Sequence, residues 1–568
     1  MERHLGKIIF TVVIILASFL RFYKFPAVPP SLNWDEVSIG YNAYSVLKTG
    51  RDEFGTFFPK YFRSLDDYKP PVYIYLTSLS IALFGYNDFA VRFPSALSGV
   101  VLVCLVYLIV RELIILKDKK KTEIFPDPRN SSAPYLAAFI FSITPWAVQF
   151  SRMASEANVG AMFLFLGILL FLRSVRKSGW GIVFSLIAFA LSSYSYQSYR
   201  LLAPLTGIIL VEIYGKTLWK FPKKIIAVSG VVIILIISSM ALDLFNPEVQ
   251  ARFQGTNVIN WTKNAFGDTV FSRNEKEMAY DAKLNINLSR RLFHDSGIFP
   301  SAHLVLSGYF AHFSPEFLFF DTTQKWNHTP SMGLLYVFMI PLIILGIYCF
   351  IRKTGKPGRF FVFGFLFIIP LPSALTWDVP HPIRVFPASV IYAIFGAYGA
   401  AYLLEHFRKA LFRINIALVV FLSVSLFSLY HYAHQYFIHL PAERAGRWQF
   451  GRKELALYLK DYGHGYDRIF ISPELEWPYI FMLYYLKYDP DSYLQEGGTV
   501  SGGWAEKENH FANLYFKNFD IKDIKTGERI LIAGQPDNVN HLGLMVKEIA
   551  DPAGGSVIAV REIFGSAP

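Results

Sequence analysis

Residues 93–115 read FPSALSGVVLVCLVYLIVRELII. From Ser98 to Val110 there is no charged side chain, and Arg111 and Glu112 close the run. An amphipathic helix of a soluble domain carries a polar face at helical spacing. This run has none. A bilayer core of about 30 Å takes roughly 20 apolar residues as helix, so the stretch is sized to cross a membrane.

The rest of the chain repeats the pattern. Of its 568 residues, 53% are hydrophobic and 17% charged, against about 25% charged in soluble domains. Mean hydropathy is +0.33. These values exclude an ordinary soluble protein. The net charge of +12 sits in short loops between apolar runs, which is a topology signal and not a nucleic-acid groove. Cys104 and Cys349 both lie inside apolar runs, so they form neither a disulfide framework nor a metal site.

Eleven stretches predict spans: about 6–23, 93–115, 133–150, 157–173, 179–196, 201–214, 225–242, 333–351, 360–373, 385–404 and 412–430. Ile8 to Leu20 is read as the first span and not as a cleaved leader. With the N-terminus in the cytoplasm, the segments 1–7, 111–132, 173–178, 216–224, 352–359 and 408–413 hold 22 Lys and Arg. The short outer loops 151–156, 194–200 and 373–384 hold 3. That bias sets the orientation. It holds only if Pro70 to Phe84 does not cross, so this segment is expected on the outer face as an interfacial helix. Three larger outer regions remain, at 24–92, 243–332 and 431–568. The last is richer in Asp, Glu, Lys and Gly. A helix over Lys453 to Leu459 and strands over Arg468 to Ser472 and Arg529 to Ala533 predict a small α/β domain outside the membrane. The expected fold is therefore all-α and polytopic over 1–430, with a soluble extracytoplasmic α/β domain over 431–568.

The first outer loop opens Ser31-Leu32-Asn33-Trp34-Asp35-Glu36, and a helix pattern follows to Gly50. Asp35 sits at or just before that helix start. Helix capping and catalysis are equally open for it at this level. Next comes Asp66-Asp67-Tyr68-Lys69-Pro70-Pro71, with a helix expected to start at the prolines. Lys69 then stands at the positive end of a helix, a place that suits an anion such as a lipid phosphate. The alternative is that Asp66 or Asp67 neutralises it. The loop ends in Val91-Arg92-Phe93-Pro94-Ser95-Ala96-Leu97, where Arg92 is expected at headgroup level as an interfacial anchor.

An acidic pair after the first span, then Lys-Pro-Pro, then Arg-Phe-Pro-Ser-Ala-Leu resembles the GT-C superfamily of polytopic membrane glycosyltransferases. It is most similar to glycosyltransferase family 39, with its protein O-mannosyltransferases and lipid A aminoarabinose transferases. The motif order matches over residues 30–100 and the multi-span layout to about residue 430. The tail from 431 matches no functional motif. The resemblance implies an inverting transfer of sugar from a polyprenyl-phosphate donor to an acceptor hydroxyl on the extracytoplasmic face. It implies Asp35 as general base, Glu36 as its catalytic support holding acceptor or loop, and Lys69 on the donor phosphate. The lysine favours the aminoarabinose branch, since the mannosyltransferases tend to carry His-Pro-Pro there.

Other outer-face residues are candidates for the same site. Glu156, with Arg152, is a candidate for sugar or acceptor contact; the alternative is an Arg152–Glu156 pair at helical spacing. Arg200 is the one basic residue of its loop and is a candidate for phosphate. His381 and Arg384 could meet acceptor or phosphate. In 243–332, His303, His312 and His328 lack metal-ligand spacing, and Phe317 to Phe320 resembles an interfacial patch. No cofactor is required, although a divalent metal held by Asp35 and Glu36 stays open. Expected partners are the lipid-linked donor, the bilayer, and a lipid, glycan or protein acceptor, with no nucleic acid. The expected location is the cell membrane. An oligosaccharyltransferase or polysaccharide polymerase with a similar donor, or a transporter of lipid-linked saccharides, is the alternative. A transporter would place polar or broken helices near the midplane, whereas these charges gather at span ends.

Overall fold

The computed structural model describes residues 2–65, 67–116, 131–177, 179–245, 250, 255–260, 270–295, 297–320, 328–406, 416–500 and 509–564. Asp66, Lys117 to Lys121 and the basic loop 408–413 lie outside the described residues. The chain begins with helix α1 (Glu2–Phe22), helix α2 (Trp34–Thr49), strands β1 (Phe62–Ser64) and β2 (Asp67–Lys69), helix α3 (Pro71–Phe84) and helix α4 (Asp88–Ile115).

The eleven apolar stretches fall largely on helix where they are described. Seven of those helices are long and apolar enough to cross a membrane: His4–Phe22, Asp88–Ile115, Glu156–Lys177, Gln197–Leu218, Lys223–Asp243, Lys356–Ala374 and Ala388–His406. The stretch 133–150 is instead two helices, Ala133–Ile143 and Pro145–Ser151, bent by 58°. Proline is the cause: Pro145 disfavours helical backbone at the residue before it, and Thr144 is extended. Gly181–Ser193 has 13 residues and Met339–Lys353 has 15, short of the roughly 20 a straight span needs. Helix α3 begins at its second proline as expected and, with 14 residues, is likewise too short to cross.

The chain divides into two compact units. The first comprises Met1–Leu20, Ser98–Val148 and Ala157–Leu429. Within it, Met339–Lys353 and Ala388–His406 pack in close contact, because Gly346 and Gly399 face each other. A Cβ on either would collide with the other helix's backbone. Small residues allow this approach where the hydrophobic effect gives apolar helices little reason to associate. The expected patch Phe317 to Phe320 is only partly outward. Ser314 caps the short helix Pro315–Phe319 and turns Phe317 inward, against Trp146 and His312, so Phe317 and Leu318 are buried while Phe320 is exposed.

The second unit comprises Arg21–Leu97, Gln149–Glu156 and Tyr430–Pro568. The tail therefore clusters with the first loop. Its sheet has six strands in the order β4-β5-β3-β6-β8-β7, formed by β3 (Arg468–Ile471), β4 (His510–Phe511), β5 (Leu514–Tyr515), β6 (Arg529–Gly534), β7 (Leu544–Ala550) and β8 (Ser556–Phe564). β3 runs parallel to β5 and β6, and β8 antiparallel to β6 and β7. Both predicted strands and the helix at Arg452–Tyr462 are present. Phe470, Ile530, Ile532, Val539 and Ala559 form the core under the sheet.

Candidate active site

The N-terminus of α2 is fixed from its own sequence. Asn33 is the N-cap: its Oδ1 accepts the Glu36 backbone N–H at 2.9 Å, and Glu36 Oε2 accepts the Asn33 N–H at 3.1 Å. Asn33-Trp34-Asp35-Glu36 is thus a capping box. Asp35, one possible cap by sequence, is not the cap. It sits in the first turn with its carboxylate uncommitted to the backbone ends.

Glu36 is buried and its two oxygens are fully engaged. Besides the Asn33 N–H, they accept Arg92 Nε at 2.9 Å, Arg92 Nη2 at 2.8 Å and the Ala154 N–H at 2.7 Å. Arg92 spends its remaining protons on the carbonyls of Pro26 (2.6 Å), Pro29 (3.0 Å) and Ser31 (2.5 Å). A guanidinium has five N–H donors, and all five are used inside the protein. Arg92 is therefore not a headgroup-level anchor. It is an internal clamp that ties the proline-rich loop, the start of α2 and segment 149–156 together.

Lys69 finds its partner across the unit. Its Nζ lies 2.5 Å from Asp35 Oδ1, with the lysine side chain 7% and the aspartate 48% exposed. This partner lies 34 residues away in sequence, and Asp66, one of the two neighbours considered as an alternative, lies outside the described residues. The hairpin of β1 and β2 ends at Lys69, where the register pairs it with Phe62. Glu156 completes the group: its Oε1 is buried with no hydrogen-bond partner among the described residues, and Lys69 and Asp35 are the charges that act on it. The cluster is one ammonium with two acidic side chains, beside the Glu36–Arg92 ion pair.

The alternative of a helical Arg152–Glu156 pair is not met, because Arg152 precedes the helix that Glu156 begins. Arg152 is buried, and donates to the carbonyls of Arg21 (3.0 Å) and Val28 (3.1 Å). The Phe437 ring centre is 4.8 Å from its guanidinium. Two further charged residues of this unit escaped the sequence reading. Arg21 is buried. Glu53 is buried too, accepting Asn42 Nδ2 and the Thr499 hydroxyl, each at 2.8 Å. Burial pushes its carboxyl up to about 7. No local signal marks Glu53, since its partners are far away in sequence.

The remaining candidates lie in the other unit. Arg200 and Arg384 line one cavity of about 680 Å³, with Tyr194, Gln197, Asp243 and Thr376. Arg384 Nη1 donates to Thr376 Oγ1 at 2.6 Å. His381 is not among the lining residues. Its backbone N–H donates to His312 Nε2 at 3.2 Å, and its ring lies 3.5 Å from Asp378. His312 Nδ1 faces the Gly308 carbonyl at 2.8 Å, so the proton resides on Nδ1 and Nε2 accepts.

Three comparisons bear on this geometry. The sequence profile of the dolichyl-phosphate-mannose-protein mannosyltransferases matches residues 68–118, the stretch from Lys69 through α4. Two proteins of Bacillus subtilis (strain 168), each carrying a provisional mannosyltransferase name, are similar: YycA is 26% identical over 190 residues, and YkcB 21% over 250. These alignments cover 33% and 43% of this chain, but only 24% and 31% of the relatives' own length. Among solved structures, ArnT from Cupriavidus metallidurans bound to undecaprenyl phosphate aligns over 99% of both chains, at 14% identity and a TM-score of 0.53. The chain is thus similar in sequence to the mannosyltransferases and in fold to ArnT, in keeping with the resemblance to GT-C membrane glycosyltransferases that its motifs carry.

Proposed function

We propose that this chain transfers a sugar from a polyprenyl-phosphate-linked donor to an acceptor hydroxyl, with Asp35 as general base. The observation that carries the reading is the Asp35–Lys69 pair: a half-exposed carboxylate 2.5 Å from a buried ammonium, on a helix start that the Glu36–Arg92 clamp immobilises. In the proposed step, Asp35 takes the acceptor proton as the acceptor oxygen attacks the anomeric carbon from the face opposite the phosphate. The bond from that carbon to the phosphate oxygen breaks, and polyprenyl phosphate leaves with the electron pair. Configuration inverts. A positioned base contributes about 10²–10⁴-fold, and a fixed cation beside the departing anion lowers the barrier further. Lys69, beside Asp35, is assigned to the donor phosphate. Glu156 is assigned to the sugar hydroxyls. Glu36, Arg92 and Arg152 position the loop and do not touch substrate.

The structural neighbour was captured with undecaprenyl phosphate, which supports a lipid phosphate as leaving group. The arginine cavity suits such an amphiphile: Arg200 and Arg384 supply positive charge, and Leu201, Ile237 and Met240 supply apolar wall. The proposed step assigns the charge beside the departing phosphate to Lys69. We place the reaction on the extracytoplasmic face of the cell membrane, with the N-terminus in the cytoplasm, on the Lys and Arg distribution.

Intact-mass lipidomics tests this reading. Cells whose only copy is Asp35→Asn should accumulate a polyprenyl-phospho-sugar absent or scarce in wild type. An unchanged lipid profile with full loss of cell-surface product would place the chain outside lipid-donor chemistry.

A further inference from the structure

The stretch from Leu284 to Asp295 and on through Gly297 to Phe299 is built inside out. Its large apolar side chains point outward: Leu284, Leu288, Leu292, Ile298 and Phe299 are all exposed, Leu288 by 73% and Ile298 by 70%. What turns toward the neighbouring helix Val270–Lys283 is polar. His294 is 16% exposed; its Nδ1 lies 2.6 Å from Asn274 Oδ1 and its Nε2 3.6 Å from Asp281 Oδ2. Asn274 Nδ2 donates to the His294 carbonyl at 3.3 Å. In water the arrangement would be reversed, since Leu, Ile and Phe are among the residues most often buried and Asp among those least. With Ile286 and Phe293, seven large apolar residues are exposed within 16 positions, a density unlike scattered single surface residues.

Two further observations say what covers it. The chain continues directly into the helix Ile298–Ala311, which is fastened to a membrane-crossing helix: the Tyr309 hydroxyl donates to the Phe367 carbonyl at 2.8 Å, seven residues before the end of the span Lys356–Ala374. The patch is thus continuous with a helix that rests on a span. Lys283 and Arg291 flank the apolar residues, cations that favour a phospholipid headgroup layer, while Arg290 pairs with Asp295 at 3.3 Å.

We propose that this stretch lies in the headgroup and upper acyl layer of the bilayer, with Leu284, Leu288, Leu292, Ile298 and Phe299 in lipid and the His294 network turned to the protein. This is independent of the proposed chemistry.

Site-directed spin labelling of the full chain in phospholipid nanodiscs tests it. On a Cys104→Ala, Cys349→Ala background, labels at Leu288→Cys, Leu292→Cys and Ile298→Cys are compared for collision with lipid-soluble oxygen and with a water-soluble nickel chelate. Ile234→Cys, exposed on the span Lys223–Asp243, and Asp537→Cys, exposed in the tail, are the lipid and water references. Labels on the stretch should favour oxygen as Ile234→Cys does. Nickel-favouring collisions like those of Asp537→Cys would overturn the proposal. So would protection from both reagents, which would mean that protein covers the patch. Because all three side chains are exposed, misfolding of one variant leaves two others to decide.

Discussion

A carboxylate that serves as a base must be reachable by the acceptor and held at a fixed distance from the reacting carbon. Asp35 and Glu36 are adjacent and chemically alike, yet only one meets the first condition. Glu36 accepts four hydrogen bonds and is sealed by Arg92, whereas Asp35 is half exposed against Lys69. The division of labour was half legible in sequence. The order Asp35-Glu36, Lys69-Pro70-Pro71, Arg92 pointed to the right loop, but each charge pairs with a residue 34 to 56 positions away, and spacing along the chain carries no information about such pairs. Removing Arg92 leaves the Glu36 carboxylate buried and unpaired, which costs about 3–5 kcal/mol. Arg92→Ala should therefore lower the thermal unfolding midpoint in detergent and reduce transfer with it. Arg92→Lys should rescue little, since an ammonium cannot reproduce the five-donor fork. A variant with wild-type stability would remove the clamp from the account.

At the scale of the element, α2 is the part that matters most. Asn33-x-x-Glu36 has capping-box spacing, so this helix start could have been placed one step earlier from sequence, and the cap assigned to Asn33 instead of Asp35. What no pattern shows is the helix's packing. Gly40 lies against Tyr484 and Val91 so closely that a Cβ would overlap the tyrosine ring, and Trp34 meets Trp477 edge to face with centroids 4.8 Å apart. Both aromatic partners come from the tail, whose sequence carries no recognisable functional motif. Loss of an N-cap costs about 1 kcal/mol. Asn33→Ala should thus cost little stability while loosening the turn that carries Asp35. The expected result is a drop in kcat larger than any change in KM for donor. An unaltered kcat would show that the cap does not position the base.

At the scale of the whole molecule, the apolar runs were readable because each is set by local composition, while the partition into two units was not. The sequence pointed to a break near residue 430. The first unit does end at Leu429, but the second also joins the first loop and segment 149–156 to the tail. Glu53 shows how: its carboxylate meets Asn42 on α2 and Thr499 in the tail, and Lys453 of the tail pairs with Asp88 at 2.7 Å. The Glu53 carboxyl is raised by burial, from an ordinary 4.5 to about 7. Between those values the folded unit keeps a proton that the unfolded chain has lost. Stability from this group is therefore full below the lower value and falls as pH rises through the window, levelling above it. Glu53→Gln should flatten that segment of the stability–pH curve, measured by thermal unfolding from pH 4 to 8. A curve unchanged in slope would contradict a buried carboxyl holding loop and tail together.

The central claim, Asp35 as the base of a lipid-donor glycosyl transfer, is tested most directly by single-turnover transfer in nanodiscs with the donor identified by lipidomics, comparing wild type with Asp35→Asn. The account predicts a fall of about 10²–10⁴-fold in the transfer step, with donor binding and unfolding temperature close to wild type. Transfer within about threefold of wild type, on the scale where tenfold is about 1.4 kcal/mol of barrier, would contradict it.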